Sequence, residues 1–137
     1  VPEVVREDPL VVRHEAVPGG PLSASTSREG RELGVFLRAL HRCPVAEAVD
    51  HGLLPAEVSG RALAGLLDRF EAEVLPVLPA EHVAAARELL DTARSFPMDT
   101  LVHGDLNPDH VLTTGTGITG VIDFGDAHCG DPARDLA

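Results

Sequence analysis

The sequence predicts an α+β fold, a mainly helical domain that carries one small β-hairpin. Three segments repeat apolar residues with the period of amphipathic helices. Short apolar runs between residues 100 and 122 are bounded by glycines and aspartates, as is typical of strands and tight turns. Of the 137 residues, 44% are hydrophobic but only 3% are aromatic, so the core must be aliphatic. The length is that of one domain.

The three predicted helices follow one another in the first two thirds of the chain. The first begins at Thr26, where Glu29 completes a capping box, and ends near His41, to which we assign no role beyond ending the helix. The second begins near Glu57, and the third runs from about Ala80 to Arg94. The apolar stripes of the first two contain Leu33, Phe36, Leu37 and Leu40, and Leu63, Leu66, Leu67, Phe70 and Val74.

The remaining N-terminal segments lack a helical pattern. Two β-branched runs, residues 1–5 and 10–15, flank a polar turn at residues 6–9 and predict a hairpin. Residues 18–22, Pro-Gly-Gly-Pro-Leu, predict a turn. Residues 45–55 show no strong period, so we expect a connector without regular structure there.

Two short strands that end in carboxylates are the most informative part of the sequence. Residues 100–105 read Thr-Leu-Val-His-Gly-Asp, and residues 120–123 read Gly-Val-Ile-Asp. A third run, Val111–Thr113, is joined to the last strand by a glycine-containing turn. We therefore expect a hairpin that brings Asp105 and Asp123 together at one end. Converging carboxylates flanked by glycines suit a divalent cation and a phosphate group.

Charge and composition exclude several classes of protein. The net charge is −11 and all eleven basic residues are Arg, which argues against a nucleic-acid partner and favours a cationic small molecule. Since neither a membrane helix nor a signal peptide is recognisable, we expect a cytoplasmic protein without membrane contact. Cys43 and Cys129 lie outside metal-ligand spacings and are expected to be unpaired thiols.

Two motifs in the C-terminal part carry a resemblance to a known family. The first, His-Gly-Asp-Leu-Asn-Pro-Asp-His, occupies residues 103–110. The second joins Ile-Asp-Phe-Gly-Asp-Ala at residues 122–127 to Gly-Asp-Pro-Ala-Arg-Asp-Leu-Ala at residues 130–137. In both, the chain resembles the aminoglycoside phosphotransferase and choline kinase group, relatives of the protein kinases. One departure is that His110 stands where the family signature has Asn.

The resemblance implies the large lobe of a protein-kinase-like fold, whose hairpin carries the catalytic and metal-binding loops. Residues 1–17 would be the end of an N-terminal lobe and the hinge, and residues 18–137 a C-terminal lobe truncated at its own C-terminal end. The implied reaction transfers the γ-phosphate of ATP or GTP, with Mg²⁺, to a hydroxyl of a small molecule. Because Lys and a glycine-rich loop are absent from the sequence, we expect this chain alone to be inactive.

The resemblance also assigns roles to residues. Asp105 would orient the acceptor hydroxyl or accept its proton, and Asp123 would ligate Mg²⁺. His110 would be a second metal ligand, although its nitrogen suits Mn²⁺ better than Mg²⁺. Two further sets are implied, the hinge residues that bind the adenine edge, Glu15, Ala16 and Val17, and the supporting residues His103, Asp126 and Asp135. Of the supporting residues, Asp126 could face the acceptor or a metal, and Asp135 would cap a helix or hold the backbone of the catalytic loop.

Two other functions stay open at this stage. One is a binuclear metal-dependent phosphoesterase or hydrolase, whose ligands would come from His103, Asp105, Asp109, His110, Asp123, Asp126 and His128. The other is a non-catalytic binding module that keeps the kinase-like fold. For a phosphotransferase, the relatives' acceptors include aminoglycosides, macrolides, choline-like alcohols and homoserine. The acidic charge favours an aminoglycoside-type antibiotic, and hence a role in antibiotic resistance.

Overall fold

The structure, a computed structural model, describes residues 4–8 and 11–137, with side chains described from residue 15 onward. In chain order, its helices and strands are β1 (Val4–Asp8), β2 (Val11–His14), β3 (Gly20–Pro21), α1 (Ser27–Leu40), α2 (Val45–Asp50), α3 (Ala56–Glu73), α4 (Ala80–Arg94), β4 (Thr100–Val102), β5 (Val111–Thr113), β6 (Ile118–Val121) and β7 (His128–Gly130). Short 3₁₀ helices occupy Leu75–Val77, Pro108–His110, Phe124–Asp126 and Pro132–Leu136. Among the described residues, no helix is both long and apolar enough to cross a membrane.

The described chain forms two compact units. The hairpin unit consists of Val1–Phe36 and Leu106–Asp123, and the helical unit consists of Leu37–Asp105 and Phe124–Ala137. Each unit combines segments that are distant in sequence, so neither corresponds to one continuous stretch. The predicted boundary between residues 17 and 18 concerns lobes of a longer protein and stays a prediction.

Antiparallel strands make up most of the hairpin unit. β5 and β6 pair as the predicted hairpin, and β3 adds to the other edge of β5, with Gly20 opposite Thr113 and Pro21 opposite Leu112. Residues 18–22 therefore contain a short strand, β3, where only a turn was expected. β1 and β2 pair as expected, but the strand continues through Asp8 into the predicted turn. The parts of this predicted hairpin at residues 1–3 and 9–10 lie outside the described residues.

The start of α1 follows the predicted capping box. The Thr26 N–H donates to Glu29 Oε2 at 2.8 Å, and the Glu29 N–H donates to Thr26 Oγ1 at 3.3 Å. The Glu29 carboxylate also accepts a hydrogen bond from Thr113 Oγ1 at 3.3 Å, on β5. One further turn along the helix, Glu32 Oε2 accepts the Ile118 N–H at 2.8 Å, at the start of β6. Two acidic side chains of α1 thus hold the hairpin within this unit.

Leucines form the core of the helical unit. Leu67 of α3, Leu90 of α4 and Leu75 between them are buried together, and the half-buried residues packed against them are Leu63, Leu78, Ala86 and Ala93. The predicted apolar stripe of α3 is only partly correct, because Leu66 is 57% and Phe70 is 44% exposed. The stripe is wider than the face that α4 and the Leu75 turn cover.

Two elements of the helical unit were not expected. Residues 45–50 form α2 inside the predicted connector. The sequence did not predict this helix because six residues are too few to show a helical period.

The pairing of β4 also differs from the expectation. β4 does not join the hairpin strands but pairs antiparallel with β7, with Leu101 opposite Cys129. β7 reads His-Cys-Gly, which has no alternating apolar pattern. The strands that precede Asp105 and Asp123 therefore belong to different sheets, and the predicted convergence of these carboxylates stays a prediction.

Candidate active site

The His-Gly-Asp segment follows β4 in the helical unit. Val102 ends the strand fully buried, and the next residue, His103, is also fully buried. The Asp105 N–H donates to His103 Nδ1 at 3.4 Å, and the His103 ring lies 4.7 Å from the Phe124 ring at an angle of 55°. A histidine enclosed in this way supports the loop, whereas a general base needs access to substrate.

Gly104 occupies a position that other residues do not fit. Its φ is 86°, in the left-handed region that glycine tolerates without cost. A Cβ at this position would collide with the carbonyl oxygen of Asp126 and would lie 2.9 Å from His128 Nδ1. His128 is itself held in place, because its Nδ1 lies 2.7 Å from the same Asp126 oxygen. The backbone before Asp105 therefore packs directly on residues 126–128, at the end of the Ile-Asp-Phe-Gly-Asp-Ala part of the second motif.

Asp135 fixes the two peptide groups before Asp105. Its Oδ2 accepts the His103 N–H and its Oδ1 accepts the Gly104 N–H, each at 3.0 Å. Its neighbour Arg134 donates from Nε to the Gly104 carbonyl oxygen at 2.8 Å. Both polar groups of Gly104 are thus held by consecutive residues of the 3₁₀ helix Pro132–Leu136.

Asp135 is ionised although it is buried. Burial raises the pKa of this carboxyl, but the hydrogen bonds from Gly104, His41 and His103 together outweigh burial and hold the pKa below its ordinary value. The side-chain donor among these three, His41 Nε2, lies 2.9 Å from Oδ2. Sequence reasoning missed both His41 and Arg134. The signal for Arg134 was its place inside the second motif, and the signal for His41 was its place at the end of a predicted helix.

The predicted metal residues lie together in the hairpin unit. Asp123 follows β6 with a φ of 62°, an uncommon conformation that aspartate tolerates better than most residues. His110 Nε2 lies 3.5 Å from Asp123 Oδ2, and the Asp123 side chain is 62% exposed. Asn107, which sequence reasoning also missed, places its Nδ2 3.1 Å from His110 Nδ1 and accepts the Asp109 N–H at Oδ1.

These residues fit a magnesium ion that keeps water and phosphate oxygens among its ligands. Mg²⁺ in phosphotransfer sites takes one or two carboxylates plus substrate phosphates, and Asp123 offers an accessible carboxylate. His110 offers nitrogen, which suits Mn²⁺ better. In the part of the chain that the structure describes, no group of three or more His, Cys, Asp or Glu residues could hold a metal, so the binuclear alternative gains no support.

The other predicted residues lie elsewhere in the two units. Glu15 and Ala16 are exposed, whereas Val17 is half-buried and packs so closely on β6 that a Cβ at Gly120 would lie 2.6 Å from Val17 Cγ1. The Asp126 side chain is exposed at the end of Phe124–Asp126. Cys43 and Cys129 are both unpaired, as expected, and burial raises the pKa of the Cys129 thiol.

The two motifs thus provide a loop that Asp135 and Arg134 hold in place, and the exposed Asp123 carboxylate beside the His110 imidazole. A comparison with known families agrees with this arrangement. The profile of the phosphotransferase enzyme family matches residues 2–137. The chain belongs to the phosphotransferase enzyme family. The resemblance inferred from the two motifs is therefore confirmed. A short stretch of the chain is also similar to the uncharacterized protein YcbJ of Bacillus subtilis (strain 168), with 46% identity over 38 residues, which are 27% of this chain and 12% of that protein.

Solved phosphotransferase structures share the fold of this family member. A macrolide 2'-phosphotransferase type I has a TM-score of 0.66 and 25% identity, over 91% of this chain and 46% of that one. The apoenzyme of a macrolide 2'-phosphotransferase from Brachybacterium faecium has a TM-score of 0.67 and 25% identity, over 91% and 46%. An ADP-bound aminoglycoside phosphotransferase of type 2''-Ib, at 22% identity and a TM-score of 0.62, matches in fold over 98% and 51%.

These comparisons confirm the predicted α+β, mainly helical fold of the kinase-like phosphotransferases. This chain spans about half the length of the solved structures that it matches.

Proposed function

We propose that the protein containing this chain transfers the γ-phosphate of ATP or GTP to a hydroxyl group of a small molecule. The observation that carries the proposal is the construction of the loop before Asp105. Asp135 accepts the Gly104 N–H and Arg134 donates to the Gly104 carbonyl oxygen, so the backbone that leads into Asp105 is held in place without substrate. A preorganised carboxylate is what phosphoryl transfer requires, because much of its catalysis is positioning.

Each motif residue has a role in this proposal. Asp105 orients the acceptor hydroxyl and accepts its proton. The buried His103 supports the loop by accepting the Asp105 N–H. Asp123, with His110, holds a divalent cation, which when bound neutralises charge on the phosphate oxygens. The segment Glu15–Val17 belongs to the hinge and faces the adenine edge, with residues 1–17 ending an N-terminal lobe and residues 18–137 belonging to the C-terminal lobe.

Two classes of acceptor are supported by different observations. The net charge of −11 favours a polycationic aminoglycoside. The structural matches at 25% identity are macrolide 2'-phosphotransferases, which favour a macrolide hydroxyl. We propose the aminoglycoside first, as expected from charge, with the macrolide as the second candidate.

A panel assay tests the proposal. The complete protein is incubated with ATP or GTP and Mg²⁺ together with aminoglycosides, macrolides, choline-like alcohols or homoserine. The readouts are nucleoside diphosphate release and the appearance of a phosphorylated product by mass spectrometry. We expect transfer to one class and none by the Asp105→Asn variant. Nucleotide binding without transfer to any acceptor would instead indicate the non-catalytic binding module.

A further inference from the structure

The side chain of Val17 fills the space beside Gly120 of β6. A Cβ added at Gly120 would lie 2.6 Å from Val17 Cγ1, and 3.7 Å from both Cβ and Cγ2 of the same side chain. The three branching carbons of Val17 therefore pack against the bare Cα of the glycine. Any side chain at position 120 would take the place of a Val17 methyl group.

The residue before Gly120 holds the next residue of the same segment. The register of the β5–β6 hairpin shifts between Leu112 and Thr113, which leaves Thr119 as the extra residue of a β-bulge. Bulges often re-aim a side chain. Here the Thr119 hydroxyl donates a hydrogen bond to the carbonyl oxygen of Pro18. The bulge and the neighbouring glycine thus contact two consecutive residues of the segment that enters the hairpin unit.

β6 is held near both of its ends, so it is the fixed partner in these contacts. At its start, the Ile118 N–H donates to Glu32 Oε2 of α1 at 2.8 Å. Directly after its end, the Ile122 N–H donates to the His110 carbonyl oxygen at 2.9 Å. A side chain added in the middle of this strand would therefore displace the entering segment and leave the strand in place.

We propose that Gly120 is a positioning residue, whose lack of a side chain sets where the segment Glu15–Val17 lies relative to Asp123. Gly120 precedes Asp123 by three residues, so the Val17 contact joins this segment to the end of β6 that carries the carboxylate. The inference rests on the proposed function, in which Glu15–Val17 faces the adenine edge and Asp123 holds the cation. A nucleotide spans both groups, so its affinity depends on the spacing between them.

Three substitutions isolate this contact. Gly120→Ala adds a methyl group that Val17 has little freedom to avoid, because the rotamers of a β-branched side chain are restricted. Val17→Ala removes both methyl groups, and the remaining Cβ lies at an ordinary 3.7 Å, so Gly120→Ala in this background should displace nothing. Gly20→Ala is the matched control, because nothing lies within 4 Å of its added Cβ.

In the complete protein, assayed below the melting temperature of each variant, Gly120→Ala should raise KM for the nucleotide roughly 10-fold. The kcat should change little, because the displaced segment contacts the ground state and the transition state equally. In the Val17→Ala background, the same substitution should leave KM unchanged, and Gly20→Ala should keep the wild-type KM. Thr119→Val, which loses the hydroxyl without a collision, should also raise KM for the nucleotide.

A measurement without nucleotide tests the position of the segment directly. In nuclear magnetic resonance spectra, the amide signals of Glu15 and Ala16 should move when Gly120→Ala is made in the wild type. They should stay in place when the same substitution is made in the Val17→Ala background. The signals decide the positioning role even if the wild-type protein binds no nucleotide, a result that would contradict the proposed function instead.

Specific outcomes would overturn the inference. A wild-type KM for the nucleotide in both Gly120→Ala and Thr119→Val would show that these contacts do not set nucleotide affinity. An equal rise of KM in the presence and absence of the Val17 methyl groups would show that Gly120 acts by another route. Unmoved signals of Glu15 and Ala16 would show that the segment is positioned without Gly120.

Discussion

The imidazole of His110 is oriented between Asn107 and Asp123. Asn107 Oδ1 accepts the Asp109 N–H at 2.9 Å, so its amide nitrogen faces His110 Nδ1 at 3.1 Å. An amide nitrogen only donates, hence Nδ1 accepts and Nε2 is the nitrogen that faces Asp123 at 3.5 Å. In a neutral ring Nε2 then carries the hydrogen and faces the Asp123 carboxylate, so it can ligate a cation bound at Asp123 only after it gives up that hydrogen. The family signature has Asn at this position.

This arrangement predicts an altered metal preference. Nitrogen ligands suit Mn²⁺ better than Mg²⁺, so the wild-type protein should show a higher ratio of Mn²⁺- to Mg²⁺-supported turnover than its His110→Asn variant. Binding of Mn²⁺, followed by electron paramagnetic resonance without acceptor, should weaken in the variant. Identical metal preference and identical Mn²⁺ binding in both forms would place His110 outside the metal's ligands.

Asp105 and Asp123 should respond differently to the same substitution. Asp105→Asn removes a group that acts on the acceptor, so kcat should fall by ~10²–10⁴-fold while nucleotide affinity is nearly unchanged. Asp123→Asn removes a metal ligand and should also weaken Mg²⁺-nucleotide binding. Steady-state kinetics combined with calorimetric titration of Mg²⁺-ATP measures both. Intact turnover in either variant would contradict the phosphotransferase roles.

Gly104→Ala should be strongly destabilising. The new methyl group would meet the carbonyl oxygen of Asp126 and the ring of His128, in addition to the cost of a φ of 86°. We expect a loss of about 1–3 kcal/mol in the free energy of unfolding, because strained backbone and backbone collision add.

The matched control for this substitution is Gly52→Ala in the same unit. Gly52 has a φ of 103°, but nothing lies within 4 Å of its added Cβ. Gly52→Ala should therefore lose only the stability that the strained φ costs. The difference between the two variants in the free energy of urea unfolding then measures the cost of the collision at Gly104. Equal losses would mean that the segment 126–128 moves aside at no cost.

Local signals explain which parts of the fold the sequence predicts. α4 has the predicted bounds, and α1 begins with the predicted hydrogen bonds between Thr26 and Glu29, because a cap and an apolar stripe are encoded within a few residues. The β5–β6 hairpin is equally local, since its glycine-containing turn determines which strands pair.

Contacts between distant segments explain what the sequence does not predict. β7 has three residues and becomes a strand only because β4 provides its hydrogen-bond partners. The bond between His41 and Asp135 joins a helix end to a short 3₁₀ helix, and neither residue carries a local pattern that indicates the other. The motif identifies Asp105, but the residues that hold its loop emerge only from the folded chain.

Acid should destabilise the fold through Asp135. Its pKa in the folded chain lies below the ordinary value of 3.8, so the unfolded chain takes up the proton at a higher pH than the folded chain does. The stabilisation by the ionised carboxylate is therefore fully present above pH 3.8 and is lost as the pH falls through the folded-state pKa. Asp135→Asn should be less stable at neutral pH, and its stability should fall less steeply in acid.

Urea midpoints measured from about pH 1.5 to 7 test this dependence. His41 is the titratable side chain that contacts Asp135, so the comparison is repeated in the His41→Gln background, where any contribution from the imidazole is removed. Asp91, exposed on α4, provides the control carboxylate, and Asp91→Asn should keep the acid slope of the wild type. If Asp135→Asn and Asp91→Asn show the same slope, the buried carboxylate is not the group whose protonation destabilises the fold.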